Sequence, residues 1–249
     1  MQCKQSLVIL VPLITLITSV VAYVITGQTP KGVKSLPNNV SSALVQGCSS
    51  DGKLAGAIRT LSLGPYEEQQ RAVALLKSEA QRSSACRQEV ITKLSSAMDQ
   101  PNLDLTGGTP QFFLWHYGTR LLGQLKAIEA LDLLVANFDL HDGSGFPLDH
   151  HPALVGVIDM GETALPKLQA VLKDNPDPDT RQYAVFCIAQ IGGRTAREIL
   201  GDALGRESDP CTVSCIRATL ISFNNKRRPN NISDEGRTEW YTTFLCKGY

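Results

Sequence analysis

From Tyr66 onward, apolar residues return at intervals of three and four along the chain. In YEEQQRAVALLKSEA they fall at Ala72, Leu75, Leu76 and Ala80, and in CRQEVITKLSSAM at Val90, Leu94 and Met98. Such spacing collects the apolar side chains on one side of an α-helix. The polar break at Ser83-Ser84 separates the two stretches and predicts a helix pair. Pro101, Gly107-Gly108 and Pro110 then mark a loop. The following stretch, FFLWHYGTRLLGQLKAIEALDLLVANF, is too long for one ordinary helix, and a bend near Leu125 to Ile128 divides it into a second pair.

HPALVGVIDMGETALPKLQAVLKD reads as a short helix, a turn at Gly161 and a second helix. Pro166 falls early in that second helix, where a missing N–H costs least. NPDPDTRQYAVFCIAQIGGRTAREILGDALGRESD repeats the plan, with Asp177 or Asp179 as a cap, Gly192-Gly193 as the stop and TAREILGDAL as the partner helix. PCTVSCIRATLISF begins one more. No stretch alternates like a strand flanked by hairpin signals. The pattern predicts an all-α chain.

Three segments of this pattern align with one another: LGQLKAIEALDLL, VIDMGETALPKL and IAQIGGRTAREIL. Each ends a first helix on a bulky apolar residue (Leu125, Met160, Ile191), then places an alanine (Ala130, Ala164, Ala196) and closes on a leucine (Leu134, Leu168, Leu200). The anchors recur roughly every thirty to thirty-five residues, a period typical of stacked helical repeats. A lone helix pair cannot bury its apolar stripe, so such pairs stack on their neighbours.

With these residues the chain resembles the HEAT-repeat superfamily and is similar to the short bacterial HEAT-like repeats named after phycobilin lyases. DTRQYAVFCIAQIGGRTAREILGDAL carries the likeness best, through Asp179, Arg181, Ala184, Ile188, Ile191, Gly192 and Ala196. The resemblance implies a right-handed α–α superhelix in which Asp179 and Arg181 brace adjacent repeats by hydrogen bonds. The segment around Gly161 matches the same pattern without the Asp and the Arg. Such motifs specify a fold and not an activity, so lyase chemistry does not carry over.

The chain begins differently. After Met1 to Lys4, residues 5 to 26 contain no charge and are long enough to cross a bilayer at about 1.5 Å per residue. Val20-Val21-Ala22 also suits cleavage of a signal peptide. Residues 1–26 are therefore expected to be a transmembrane anchor or signal peptide. Residues 27–52, rich in Gly, Pro, Ser and Asn, are expected to be a linker, and residues 53–249 the repeat domain. This order predicts a cell-envelope protein with residues 27–249 outside the cytoplasm, anchored in the inner membrane or released into the periplasm or medium. Asn39-Val40-Ser41 and Asn231-Ile232-Ser233 are glycosylation sequons, which matter only in a eukaryotic secretory pathway.

An exported location gives the cysteines a role. Apart from Cys3, the chain has Cys48, Cys86, Cys187, Cys211, Cys215 and Cys246, which can pair in any of fifteen ways. Cys211 and Cys215 share one helix face, which disfavours bonding to each other. Cys187, within AVFCIAQI, suits a small core residue better than a reactive thiol.

Charge and motifs exclude more than they assign. The 24 basic and 24 acidic residues cancel, and Lys226-Arg227-Arg228 is the only dense basic run, so nucleic acid is not an expected partner. There is no GxSxG, P-loop or GxGxxG, and no catalytic cofactor is implied. His141, Asp142, His150 and His151 crowd one short stretch and define the alternative reading, a metal-binding protein or metal-dependent enzyme. Against it, helical HxxxH spacing is absent and the adjacent pair His150-His151 cannot easily serve one ion. Pro152 instead suits the first position of a helix capped by His151 or Asp149. The aromatic run FFLWHY (112 to 117) suits core packing better than a ligand groove.

The favoured reading is an exported or membrane-anchored scaffold, without catalytic activity, that binds a protein or peptide. Its expected contacts are Lys167, Arg194, Arg197 and Glu198 on the second helices, with Asp179, Arg181, Gly161 and Gly192 in structural roles.

Overall fold

The computed structural model describes Cys48 and residues 51–140 and 151–224, all within one compact unit, Gln46–Tyr249. The N-terminal apolar run, both sequons, His141, Asp142, His150, Lys226 to Arg228 and Cys246 lie outside the described residues. The described residues form helices and connecting turns, with no strand among them. None of their helices is long and apolar enough to cross a membrane.

The first helix, α1 (Asp51–Leu63), lies ahead of Tyr66, where the helical pattern was expected to begin. It buries Leu54, Ala57, Ile58 and Leu61, a stripe at three- and four-residue spacing. Next, α2 (Tyr66–Arg82) and α3 (Ser84–Met98) meet at Ser83, whose extended backbone breaks the run. The Ser83 Oγ accepts from the Cys86 amide at 3.1 Å and caps α3. Thr109 caps α4 (Pro110–Gln124) in the same way, with Pro110 in its first turn.

The expected bend is real and has a local cause. Past Gln124 the chain passes Lys126 in the left-handed region, at φ 53°, then a 3-10 turn (Ile128–Ala130) and short α5 (Leu131–Val135). Lys126 is held there from two sides. Its Nζ donates to the Asp159 carbonyl at 2.6 Å, and its own carbonyl accepts from Arg87 at 3.0 Å.

The later helices follow the predicted plan. Short α6 (Pro152–Met160) turns at Gly161 (φ 65°) through a 3-10 segment (Gly161–Ala164) into α7 (Leu165–Asp174). Asp177, not Asp179, caps α8 (Pro178–Ile191), accepting from the Asp179 and Thr180 amides at 3.3 and 2.9 Å. Gly192 (φ 69°) ends α8 and Gly193 (φ 86°) opens α9 (Gly193–Leu204); α10 (Pro210–Asn224) completes the described chain. Side chains with a Cβ are strained at such angles, which explains the glycines at 161 and 192.

Packing joins these elements into one core. The first four helices pack on one another, and then α4 packs on α6, α6 on α8 and α8 on α10. Beside this succession, α7 lies against α8 and α9, and α9 against α10. The aligned anchors Ala130, Ala164 and Ala196, with Leu134, Leu168 and Leu200, are all buried. Trp115, at the centre of α4, is fully buried, and its indole N–H donates to the Met98 carbonyl at 3.2 Å, which satisfies its one polar atom.

Helices α4 and α6 approach each other closely. A Cβ built on Gly123 would come within 2.5 Å of the Asp159 Cβ and 2.7 Å of the Gly156 carbonyl oxygen. One built on Gly156 would come within 2.9 Å of the Thr119 carbonyl oxygen. The two helices therefore cross backbone to backbone, with glycine on each side. Thr119 is buried beside this crossing and turns its hydroxyl inward to the Trp115 carbonyl at 2.8 Å.

Of the six cysteines in question, Cys48 and Cys86 form a disulfide that ties the chain ahead of α1 to the first turn of α3. Cys187 is a fully buried thiol in α8, and burial pushes its pKa far above the usual thiol value. Because Cys187 carries a free thiol, the six cysteines do not form three bridges.

Candidate functional site

A groove of 420 Å³ runs between the start of α7 and the outer side of α9. Leu165 and Pro166 from α7 and Ile199 from α9 supply its apolar lining, with Gln169 and Thr195 beside them. Among the described residues its charged lining is wholly acidic: Glu162 from the 3-10 turn, and Glu198 and Asp202 one helical turn apart on α9. The glycine turns position these groups. Gly161 and Gly192 reverse the chain at the ends of α6 and α8, which sets the starts of α7 and α9 side by side.

Of the expected contact residues, Glu198 lines this groove. Arg194 sits one turn before it and approaches its carboxylate at 3.6 Å, on a fully solvated part of α9. Arg197 is exposed on the same helix. Lys167 is engaged elsewhere, in an ion pair with Asp132 that links α7 to α5. Glu198 thus lines the groove, Arg194 approaches it, Arg197 is exposed on the same helix, and Lys167 joins an exposed tie between α7 and α5.

Asp179 lies in the first turn of α8. Arg181, two residues on, donates from Nε and Nη2 to the two carboxylate oxygens of Glu207 at 2.7 and 2.9 Å. Its remaining Nη1 donates to the Asn175 and Pro176 carbonyls at 3.0 and 3.1 Å. One guanidinium therefore links the turn before α8 to the turn before α10. Burial alone would raise the Glu207 carboxyl. The Arg181 hydrogen bonds and charge, with the Asp209 and Ser208 amides, overcome that and hold it below the ordinary carboxylate range.

Of the histidine stretch, only His151 is described. It is buried at the start of α6 with no capping bond from its side chain; its Nδ1 lies 3.1 Å from the Phe138 carbonyl oxygen, and its ring packs 5.6 Å from that of Tyr183. No group of three or more His, Cys, Asp or Glu among the described residues is placed to hold a metal ion.

A second groove, of 260 Å³, lies between α2 and α4. The aromatic run at 112 to 117 divides here: Trp115 is core, whereas His116 and Tyr117 line the groove with Tyr66 of α2. Sequence reasoning passed over Tyr66, Gln70 and Arg120 in this groove, and Glu162 and Asp202 in the other. The signal existed for α2, where Tyr66, Gln70, Val73 and Lys77 follow helical spacing on a stripe distinct from the buried one.

These elements define a class, an all-helical fold with grooves between packed helices. Comparison with protein-family models, with curated proteins and with solved structures gives no match.

Proposed function

We propose that the chain is an exported or membrane-anchored scaffold of HEAT-like helical repeats, without catalytic activity, that binds a protein or peptide. In this reading α4, α6, α8 and α10 form one layer of a right-handed α–α superhelix, and α5, α7 and α9 belong to the other. The N-terminal apolar segment supplies the anchor or export signal.

The observation that carries the reading is the open α7–α9 groove. It offers apolar contact between two helices and a rim of carboxylates, and it lies on the second helices of consecutive pairs. Extended contact of this kind is how stacked helix pairs bind partners. A photo-crosslinking residue placed at Thr195 in the full chain, in the native membrane, tests it. The expected result is a discrete adduct that is absent with the probe at Thr92 on α3 and lost on Glu198→Lys with Asp202→Lys. Equal adducts from both positions, or none from Thr195, overturn the reading.

A further inference from the structure

Resting on the proposal that the α7–α9 groove is the binding surface, we infer that its occupant is a basic segment of a partner protein. The lysine or arginine side chains of that segment lay their methylene stems on the groove floor and set their charged heads against the carboxylates of the rim.

The floor favours a stem over a large apolar anchor. Leu165 and Ile199 are only 2% and 6% exposed, so they leave little apolar surface at the bottom of the groove. What remains is a narrow strip with Pro166 open along it. A tryptophan or phenylalanine anchor gains its energy from a well-packed pocket that excludes water. A lysine or arginine stem needs only a strip, because its charged end stays at the water-facing rim.

The rim sets the sign of the partner. Glu162 stands on the α7 side and Glu198 and Asp202 on α9, all three exposed, so a chain lying between the helices meets carboxylates from both walls. Carboxylates only accept hydrogen bonds, and they pair most strongly with ammonium and guanidinium groups. Arg194 already makes such a contact within the chain. Its Nε approaches Glu198 Oε1 at 3.6 Å, with the two side chains 91% and 66% exposed. An ion pair that open contributes little and gives way to a cation held from two sides.

The spacing of the carboxylates separates a basic peptide from a metal ion. Among the described residues Glu162, Glu198 and Asp202 are not gathered into a group that could hold one ion. Four residues of α9 separate Glu198 from Asp202, about 6 Å along the helix axis. Alternate residues of an extended chain are roughly 6.5–7 Å apart, so two basic residues flanking a small one reach both carboxylates. Gln169 and Thr195 offer donors and acceptors to the backbone of such a segment.

The full chain is titrated, by fluorescence anisotropy, with a labelled peptide alternating lysine and alanine and with the same peptide carrying glutamate for lysine. The basic peptide should bind, the acidic one should not, and binding should weaken with added salt. Glu198→Gln with Asp202→Asn should weaken it by roughly tenfold or more, the scale of a lost charge-assisted hydrogen bond. Glu67→Gln with Glu68→Gln removes the same charge from the start of α2 and should leave binding unchanged, which separates the groove from net charge. Arg194→Ala should strengthen binding by roughly twofold, because it removes the cation that competes for Glu198. These side chains are all exposed, so the substitutions leave the core intact.

No binding of the basic peptide, equal binding of the two peptides, equal losses from the α2 and α9 variants, or no gain from Arg194→Ala overturns the inference. The scaffold reading fails on a different result, the absence of a specific Thr195 adduct. A discrete adduct without preference for the basic peptide overturns the basic occupant alone, as does a Thr195 adduct formed within the chain or with a second copy of it.

Discussion

Arg181 and Glu207 are joined by two parallel hydrogen bonds across a sequence separation of 26 residues, with side chains only 13% and 6% exposed. Arg87 makes a similar clamp at the other end of the core. It donates to Glu129 Oε1 at 2.7 Å and to the Leu125 and Lys126 carbonyls at 3.1 and 3.0 Å. Both arginines occupy the fourth position of their helix, after a side-chain cap at Ser83 or Asp177. Each turns a helix start into a brace for a turn that belongs to another helix pair.

Breaking the inner clamp should be costly. Glu207→Gln removes the charge bonded directly to the guanidinium and leaves it only the weaker fields of Asp209 and Asp177, so the loss should approach the value of about 3–5 kcal/mol typical of broken buried pairs. Arg181→Lys should recover only part of the loss caused by Arg181→Ala, because an ammonium cannot reach two oxygens and two carbonyls at once. The corresponding changes at the more open Arg87–Glu129 pair should cost clearly less. Urea unfolding of the variants measures all three, and equal losses at the two clamps would contradict this account.

The same groups set a pH dependence. Glu129 is held below its ordinary value of 4.5, chiefly by its hydrogen bond to Arg87. Glu207 is held below the same value by Arg181 and neighbouring amides, against burial. Asp177 is likewise lowered, its capping bonds from Thr180 and Asp179 outweighing burial. A carboxyl with a depressed folded pKa stabilises the fold fully above its unfolded pKa and loses that contribution as pH falls through the folded value. Stability should therefore hold from neutral pH down to about 4.5 and then fall as the medium becomes more acidic. In Glu207→Gln the acid-side slope should be shallower, read from melting temperatures across an acid series.

Much of this was legible from periodicity alone. The Ser83 break, the bend after Gln124 and the turns at Gly161 and Gly192 all rest on local chemistry, and each falls where the pattern placed it. Helix α1 was missed because its four apolar positions follow a Gly- and Ser-rich stretch, and its opening residues, Asp51 and Gly52, read as loop. The grooves were missed for another reason. Tyr66 and Arg120 lie 54 positions apart in sequence, and only the packing of α2 on α4 brings them together. Periodicity reports which side of a helix is buried, and it is silent on which exposed sides become neighbours.

Glycine substitutions separate packing from propensity. Gly123→Ala and Gly156→Ala each drive a Cβ into backbone or Cβ atoms of the facing helix, so the α4–α6 crossing must widen. Overpacking of this kind costs about 1–3 kcal/mol. Gly201, on the exposed side of α9, meets nothing within 4 Å. Gly201→Ala should stabilise the protein by about 0.5–1 kcal/mol, because alanine restricts the unfolded chain and favours the helix. Opposite signs in thermal melting are the expected result. A loss at Gly201 would mean that α9 tolerates less than its open surface suggests.

The Cys48–Cys86 bridge closes a loop spanning 38 positions that contains all of α1 and α2. Crosslinking a loop of that size removes conformations from the unfolded chain and contributes about 2–4 kcal/mol in typical cases. Cys48→Ser with Cys86→Ser should therefore lower the midpoint of urea unfolding, and a reducing agent should do the same to the unmodified chain but nothing further to the double variant. Cys86 is almost fully buried in the first turn of α3, while Ser83 caps that turn through the Cys86 amide and not through its sulfur. Helix α3 should consequently keep its start when the bridge opens, and the loss should appear as earlier global unfolding with unchanged helical circular dichroism below the transition. A drop in helix content on reduction under native conditions would show that the bridge builds the α1–α3 packing and does more than stabilise it.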